Sequence, residues 1–277
     1  MKKFTLLLLL TLSSTLIFAQ KKEKIKGSKI TTTERKKIGS FDQIEAEDNL
    51  EIFLVKGDKS GLEIETDDNL HAAIDYKLYG TVLRLNTNKD ISSFKKLEVR
   101  ITYTDSLKLI SSKHETKINA PSGLALSNVT IKTYDYSKAY LNVDSPNFSL
   151  IANDKSKIEL NLKSDDASIE MSKNTELKAL VTLNKLKIDL YQKADATIEG
   201  TTNDMKLRLD NNASYNGQKL TSKSLNLTTE SYTKCAVNTN GNLSITASGK
   251  SEVDIYGDPK IEIKKFGDDA ILRKKSK

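Results

Sequence analysis

The sequence has no tryptophan, only three prolines and a single cysteine, Cys235. One cysteine cannot form an internal disulfide, so a hydrophobic core and backbone ladders must hold the fold. Asn, Ser, Thr, Asp and Lys are plentiful, and this composition favours a β-solenoid over a helical bundle. Cys235 falls among apolar residues, where we expect a small buried hydrophobe and not a reactive thiol.

After residue 19 the chain has no apolar run of the roughly 20 residues that a membrane span needs. The first nineteen residues have the order of a secretory signal peptide. Lys2 and Lys3 precede an apolar stretch, and the small residue Ala19 precedes Gln20. We therefore predict a signal peptide over 1–19, with a retained N-terminal anchor as the alternative. The mature protein is expected in the periplasm or outside the cell, with no transmembrane segment.

The chain also lacks charge of a single sign over most of its length. The formal net charge is +7, but lysines alternate with acidic residues, as in Lys187 and Asp189. Interspersed charge is typical of the solvated face of a β-protein and argues against a nucleic-acid partner. Cations cluster only near the two chain ends. We assign these clusters to a basic flexible linker over 20–38 and a basic tail over 274–277.

An internal repeat of about nineteen residues runs through the remaining sequence. Its x-apolar-x-apolar starts are Leu107, Val129, Phe148, Ala167, Leu186, Met205, Leu225, Leu243 and Ile261. A column of leucine and isoleucine lies two residues after each repeat start. Its members are Leu109, Ile131, Leu150, Ile169, Ile188, Leu207, Leu227, Ile245 and Ile263. Polar residues mostly flank them, which is the period-two alternation of a half-buried strand.

Small residues recur about eight positions into each repeat. They are Ser137, Ser156, Thr175, Ala194, Ala213, Thr233 and Ser251, and several follow polar turn sequences such as Asn211-Asn212. A tight corner leaves room only for a small inward side chain, and Asn and Asp tolerate its geometry. Apolar alternation then resumes at Ala139, Ile158, Leu177, Ala196, Tyr215, Cys235, Val253 and Ile271. Each repeat is therefore read as strand, corner, strand, corner.

These columns predict an all-β fold, a right-handed parallel β-helix or solenoid with about 19 residues per coil over 107–273. Residues 39–106 still alternate but break this register. We assign them to an N-terminal cap with the first irregular β-coils, because an open solenoid end exposes unpaired strand edges. Within this region, 67–79 has apolar residues at helical spacing and is predicted to form a short helix or helical turn.

Several segments resemble one known family. They are FDQIEAEDNLEIFLVKGDKSGLEIETDDNL, YGTVLRLNTN, KKLEVRITYTDSLKLISS and the closing SGKSEVDIYGDPKIEIKKFGDDAILRK, with its Gly-x-Pro-Lys step. Together they are similar to the head GIN domain family, auto-transporter adhesins common in Bacteroidetes, over about residues 38–275. The resemblance implies a β-helical fold and export to the envelope, and the family brings no established biochemical activity and no functional residues to carry over. This chain departs from the family in using Asn, Asp and Lys at corners that are often Ser-Gly.

The sequence offers little for catalysis. Coils of nearly constant length leave no loop to wall an active-site groove, and the carboxylates of Asp165, Asp166, Asp268 and Asp269 fall at corners as turn residues. His71 and His114 lie in no metal-ligand pattern, and no cofactor-binding motif occurs. We expect no catalytic, cofactor or metal site.

The expected function is that of an exported, non-catalytic β-solenoid protein of the envelope or surface, for adhesion or for protein or glycan binding. A β-helical polysaccharide-active enzyme and a self-associating structural protein remain the alternatives. Tyr134, Tyr191 and Tyr232 fall near the first corner and are candidate surface-binding residues. The alternative is that they only cover the solenoid surface. Neither the partner nor the oligomeric state is predicted.

Overall fold

The computed structural model describes residues 22–276, so the predicted signal peptide lies outside the described residues. The strands and the one 3₁₀ helix are β1 (Lys24–Lys26), β2 (Thr31–Lys36), β3 (Gln43–Ala46), β4 (Glu51–Lys56), β5 (Gly61–Asp67), η1 (His71–Ala73), β6 (Ile74–Tyr79), β7 (Val82–Thr87), β8 (Asp90–Ser92), β9 (Leu97–Tyr103), β10 (Leu109–Ser112), β11 (Lys117–Ala125), β12 (Asn128–Thr133), β13 (Lys138–Asp144), β14 (Asn147–Ala152), β15 (Lys157–Met171), β16 (Glu176–Leu190), β17 (Asp195–Leu209), β18 (Ser214–Thr229), β19 (Lys234–Ala247), β20 (Glu252–Tyr256), β21 (Lys260–Phe266) and β22 (Ile271–Lys274).

From β10 to β20, each strand pairs in parallel with the strand one coil further along the chain. In the pairing of β15 with β16, Ile158 lies beside Leu177 and Met171 beside Leu190, a constant offset of one 19-residue coil. The same offset continues between β16 and β17. The predicted parallel solenoid of about nine coils, with roughly 19 residues in each, is confirmed.

The inward columns form one continuous hydrophobic core. Ile131, Ile188 and Ile245 are fully buried, as the alternation predicts. The first member of the column is wrong, because Ile110 and not Leu109 pairs beside Ile131 and is buried. Apolar residues stand at both phases in β10, so the neighbouring coils decide which of them points inward.

From β10 to β18, the first corner of each coil is a tight turn in which two consecutive residues adopt positive φ angles. The last three such corners have one each, at Ser231, Gly249 and Asp268. Asp154 and Lys155 have φ of +52° and +62°, and Asn211 and Asn212 have φ of +53° and +65°. The Lys155 amide donates to the Lys173 carbonyl of the next turn, at 3.0 Å, so the turns stack as the strands do. All seven predicted small corner residues are buried, which confirms that column.

The last coil differs from the prediction in one column. Leu272, and not Ile271, pairs beside the buried Val253, while Ile271 lies beside the outward-facing Glu252 and is exposed. Ala270 is buried at the preceding corner. A residue count from the previous coil therefore misassigns Ile271 by one position.

Two further coils lie before β10, stacked out of chain order. β3 pairs in parallel with β7 on one side and with β10 on the other. β4 likewise pairs with β9 and with β11. The coil made by β3 and β4 is therefore inserted between a terminal coil, made by β7 and β9, and the regular stack.

Antiparallel strands close this end of the solenoid. β5 returns beside β9, and β6 forms a hairpin with β7. Of the short helix or helical turn predicted over 67–79, only a helical turn is present. Only the three residues of η1 are helical, because residues 74–79 take extended geometry to pair with β7.

Residues 24–36 differ from the flexible linker expected there. β1 pairs in parallel with β8, and β2 pairs antiparallel with β5. The buried Asp67 carboxylate accepts backbone hydrogen bonds from Lys29, at 2.8 Å, and from Lys95 and Lys96, at 3.0 and 3.2 Å. This one side chain ties the N-terminal segment to the strands of the cap.

Candidate binding surface

One open groove, hereafter the first groove, runs along the outward face of the first strand of six successive coils. It is an open trough of about 810 Å³. One border is formed by Asn128, Asn147, Asp166, Lys185, Asp204 and Ser224, and the other by Thr130, Ser149, Ser168, Lys187, Lys206 and Asn226. Five coil spacings of about 4.8 Å make the groove roughly 24 Å long.

The chemistry of the first groove changes along its length. The half nearer the N-terminus carries small hydroxyl and amide side chains, such as Ser149 and Asn147. The other half carries the lysines. Lys185 lies 3.7 Å from Asp166, and Lys187 lies 2.7 Å from Asp189. The hydrogen bond to Asp189 raises the pKa of Lys187 above the ordinary value of a lysine.

The second groove lies on the other sheet face, over the second strand of each coil, and has a volume of about 750 Å³. Its lining includes Phe53 and the well-exposed Tyr140 and Leu180, the last with 55% of its surface accessible. The polar lining consists of the amides of Asn119, Asn142 and Asn161, the carboxylates of Glu159 and Glu199, the ammonium of Lys178 and the hydroxyl of Thr197. Exposed aromatic and aliphatic side chains beside amides are typical of protein-contact surfaces.

The three candidate tyrosines do not share one position. Tyr134 and Tyr191 both open the first corner, since their amides donate to the carbonyls of Ser112 and Met171 on the preceding coils. They are three coils apart, about 14 Å by the strand spacing. Tyr232 lies two positions later in its own turn. Lys113 lies 5.9 Å from the Tyr134 ring and Lys250 lies 5.5 Å from the Tyr232 ring.

Burial separates the tyrosines further. Tyr134 and Tyr191 are partly buried, and this burial raises the pKa of each phenol. Tyr232 is 60% exposed. Neither groove includes any of the three. Their role in binding stays a prediction, and a common ligand would have to contact two different turn positions.

Potentially reactive side chains are buried in the core. Cys235 is buried, as predicted, and burial raises the pKa of its thiol well above the ordinary range. The fully enclosed phenol of Tyr215 has its pKa raised for the same reason. Among residues 22–276, no group of three or more His, Cys, Asp or Glu side chains could hold a metal ion. No helix in that part of the chain is long and apolar enough to cross a membrane.

The groove residues were missed by sequence reasoning, which followed the inward columns. The sequence did contain a signal for these residues. The positions immediately before and after each repeat start point outward, and they are occupied mainly by Asn, Ser and Thr in the earlier coils and by Lys in the next ones. Asp166 illustrates the difference, because it was predicted as a corner residue but lies within β15, beside Asn147 and Lys185, and borders the first groove.

The fold and its open grooves define a class of protein: a parallel β-solenoid with long polar troughs on its faces. Residues 40–259 match the family described as "Putative auto-transporter adhesin, head GIN domain". The chain belongs to this family, which confirms the resemblance found in its sequence.

Solved structures share the fold. A putative adhesin from Parabacteroides merdae is 16% identical, with a TM-score of 0.64 over 92% of this chain and 98% of the other. A putative adhesin from Parabacteroides distasonis is 17% identical, with a TM-score of 0.64 over 90% and 99%. A putative lipid binding protein from the same species is 14% identical, with a TM-score of 0.62 over 91% and 99%. No curated protein matches this chain.

Proposed function

We propose that this chain is an exported, non-catalytic adhesion protein that binds an extended glycan along the first groove. The observation that carries the proposal is the groove itself, a trough about 24 Å long in which outward polar side chains recur at the same two positions of every coil, as hydroxyls and amides in some coils and as lysines and aspartates in others. A polymer of hydroxylated units needs donors and acceptors at repeated, rigid positions, and a solenoid supplies them.

The lysines in one half of the first groove favour glycans that carry some negative charge. Lys185, Lys187 and Lys206 lie on three outward positions of two neighbouring coils. Nearby carboxylates neutralise Lys185 and Lys187 in part, at 3.7 and 2.7 Å. A glycan that carries some carboxylate, sulfate or phosphate groups would find cations over the fourth and fifth coils of the groove and neutral donors over the first two.

A binding and turnover experiment tests this function against the enzyme alternative. The purified protein is applied to an array of neutral and acidic glycans, and the glycans it retains are then incubated with it and analysed for shortened products. Retention without cleavage supports the proposal, and release of new chain ends would contradict it.

Export is a separate part of the proposal and has its own test. The family description and the order of residues 1–19 support it. Expression of the full chain in a bacterial host, followed by fractionation and N-terminal sequencing, should give a mature protein that begins at Gln20. An uncleaved N-terminus in the cytoplasm would contradict export.

The second groove supports protein binding as a second candidate function. Tyr140 and Leu180 expose apolar surface that a glycan of neutral hydroxyls would not need. If the partner is a protein, Tyr140→Ala and Leu180→Ala should reduce adherence to protease-sensitive surface material. Substitutions in the first groove should leave this adherence unchanged.

A further inference from the structure

In the described part of the chain, the last coil of the solenoid has two strand edges without a partner. Within residues 22–276, β21 pairs only with β19, and β22 pairs only with β20. Their outer edges therefore present free backbone N–H and C=O groups. Such an edge is a template for one more strand.

The inward side chains of β21 are uncovered at the same place. Ile261 and Ile263 pair beside Leu243 and Ile245, which are buried, yet they remain 41% and 53% exposed. Phe266 lies beside the buried Ala247 and is 49% exposed. An added strand would cover these three side chains in the way each coil covers the one before it.

Charge at this edge is mostly positive. β21 carries Lys260, Lys264 and Lys265 against the single carboxylate of Glu262. Glu262 lies 3.9 Å from Lys264. Within the described part of the chain, neither Lys260 nor Lys265 forms an ion pair.

The solenoid itself shows how outward charges match from coil to coil. Lys157 pairs with Glu176 at 2.9 Å, and these two residues are direct neighbours in register. The same holds for Asp166 with Lys185, at 3.7 Å, and for Asp144 with Lys163, at 3.7 Å. A strand added beyond β21 would by this pattern carry carboxylates beside Lys260 and Lys265.

We propose that the C-terminal edge of the solenoid, formed by β21, binds an acidic, strand-forming polypeptide segment. The segment adds to the sheet as a further strand, with apolar side chains over Ile261, Ile263 and Phe266. Its carboxylates face the lysines of β21. Strand addition of this kind takes affinity from backbone hydrogen bonds and specificity from alternate side chains.

The charge pattern favours this occupant over a second copy of the chain. Two β21 edges would bring two lysine-rich strands together, and lysines on an edge strand oppose pairing between identical edges. The bulge that leaves Lys264 unpaired beside β19 adds to this effect. An acidic strand meets no such repulsion.

Peptide binding measured by fluorescence anisotropy tests the proposal. The probe is a labelled synthetic peptide in which glutamate alternates with valine, and the controls replace glutamate with lysine or place proline at the centre. The purified protein should bind the glutamate peptide at least tenfold more tightly than either control. The double variant Lys260→Glu/Lys265→Glu should lose this preference, whereas Lys223→Glu/Lys234→Glu, with the same change in charge, should keep it.

Three outcomes would overturn the proposal. The first is equal binding of the glutamate and lysine peptides, or none, by protein whose circular dichroism is that of the native solenoid. The second is concentration-dependent dimerisation, measured by sedimentation, that the glutamate peptide does not reverse, since this would assign the edge to a second copy. The third is binding to anionic lipid vesicles that depends on Lys260 and Lys265 while peptide binding does not.

Discussion

At the scale of single residues, the direction of a side chain in its strand decides its contribution to stability. β16 offers a direct comparison, because Ile188 points into the core and is fully buried, while Leu180 points outward and is 55% exposed. The two side chains have the same number of carbon atoms. The main difference between the two side chains is therefore their exposure to solvent.

Truncation of these two residues should therefore have unequal effects. Ile188→Ala removes packed methyl groups from the core and should lower the free energy of unfolding by about 2–5 kcal/mol. Leu180→Ala should change it by less than about 0.5 kcal/mol. Chemical denaturation of both variants measures the difference, and equal losses would show that the inward register is wrong.

Gly200 is a position where the backbone needs glycine. Its φ is +119°, and it lies where the register of the pairing between β17 and β18 shifts. A Cβ at this position would lie 1.9 Å from the Val181 carbonyl oxygen. Gly80, in the hairpin of β6 and β7, also has a positive φ, of +59°, but a Cβ there would meet nothing within 4 Å.

Alanine substitution should separate the cost of a positive φ from the cost of a close backbone contact. Gly80→Ala should cost about 1 kcal/mol, from left-handed geometry alone. Gly200→Ala adds a clash with backbone that cannot move without shifting a neighbouring coil, so we expect a loss of at least about 3 kcal/mol. Thermal melts of both variants would check this, and a Gly200 variant as stable as the Gly80 variant would refute the close approach.

At the scale of elements, one buried carboxylate adds to the strand pairing that holds the N-terminal strands to the cap. Burial alone would raise the pKa of Asp67, but the backbone N–H groups of Lys29, Lys96 and Lys95 lower it below its ordinary value. Because the folded state favours the charged carboxylate, Asp67 stabilises the fold at pH values above the carboxyl pKa of the unfolded chain, about 3.9. This contribution is lost as the pH falls through the lower pKa of the folded state.

The variant Asp67→Asn should expose this dependence. At neutral pH its melting temperature should be lower than that of the unmodified chain, since a neutral amide is a weaker acceptor and its N–H₂ opposes the backbone donors. The gap should shrink as the pH is lowered below about 4. A gap that stays constant from neutral pH down to acid unfolding would contradict the role of the charge.

Prediction from sequence succeeded where structure is local and failed where the partner strand decides. The column through Ile131 and Ile188 could be found because alternation within each strand fixes it. The choice of Ile110 over Leu109 could not, since β10 is apolar at both phases and the pairing with β3 and β12 selects one. Over 67–79 no more than a helical turn forms for the same reason, because pairing with β7 outweighs a weak local pattern.

At the scale of the whole molecule, the spatial order of the coils does not everywhere follow their order along the chain. The coil of β3 and β4 lies between coils that come later in the chain. Nothing in residues 39–106 repeats at nineteen residues, so this insertion could not be read from the sequence. The grooves were hidden for a related reason, because their depth depends on the sizes of outward side chains on neighbouring coils.

The central claim is that the first groove is the binding surface, and a groove-filling variant tests it most directly. Ser149 and Ser168 are neighbours on adjacent coils at its border, and Thr182 and Thr201 are exposed neighbours outside both grooves. Each pair is replaced by arginine, and the binding of both double variants to the retained glycan is measured by surface plasmon resonance.

Ser149→Arg/Ser168→Arg should reduce affinity at least tenfold, and Thr182→Arg/Thr201→Arg should leave it within twofold of the unmodified protein. Equal affinity of the two double variants, both folded by circular dichroism, would contradict the assignment of the first groove.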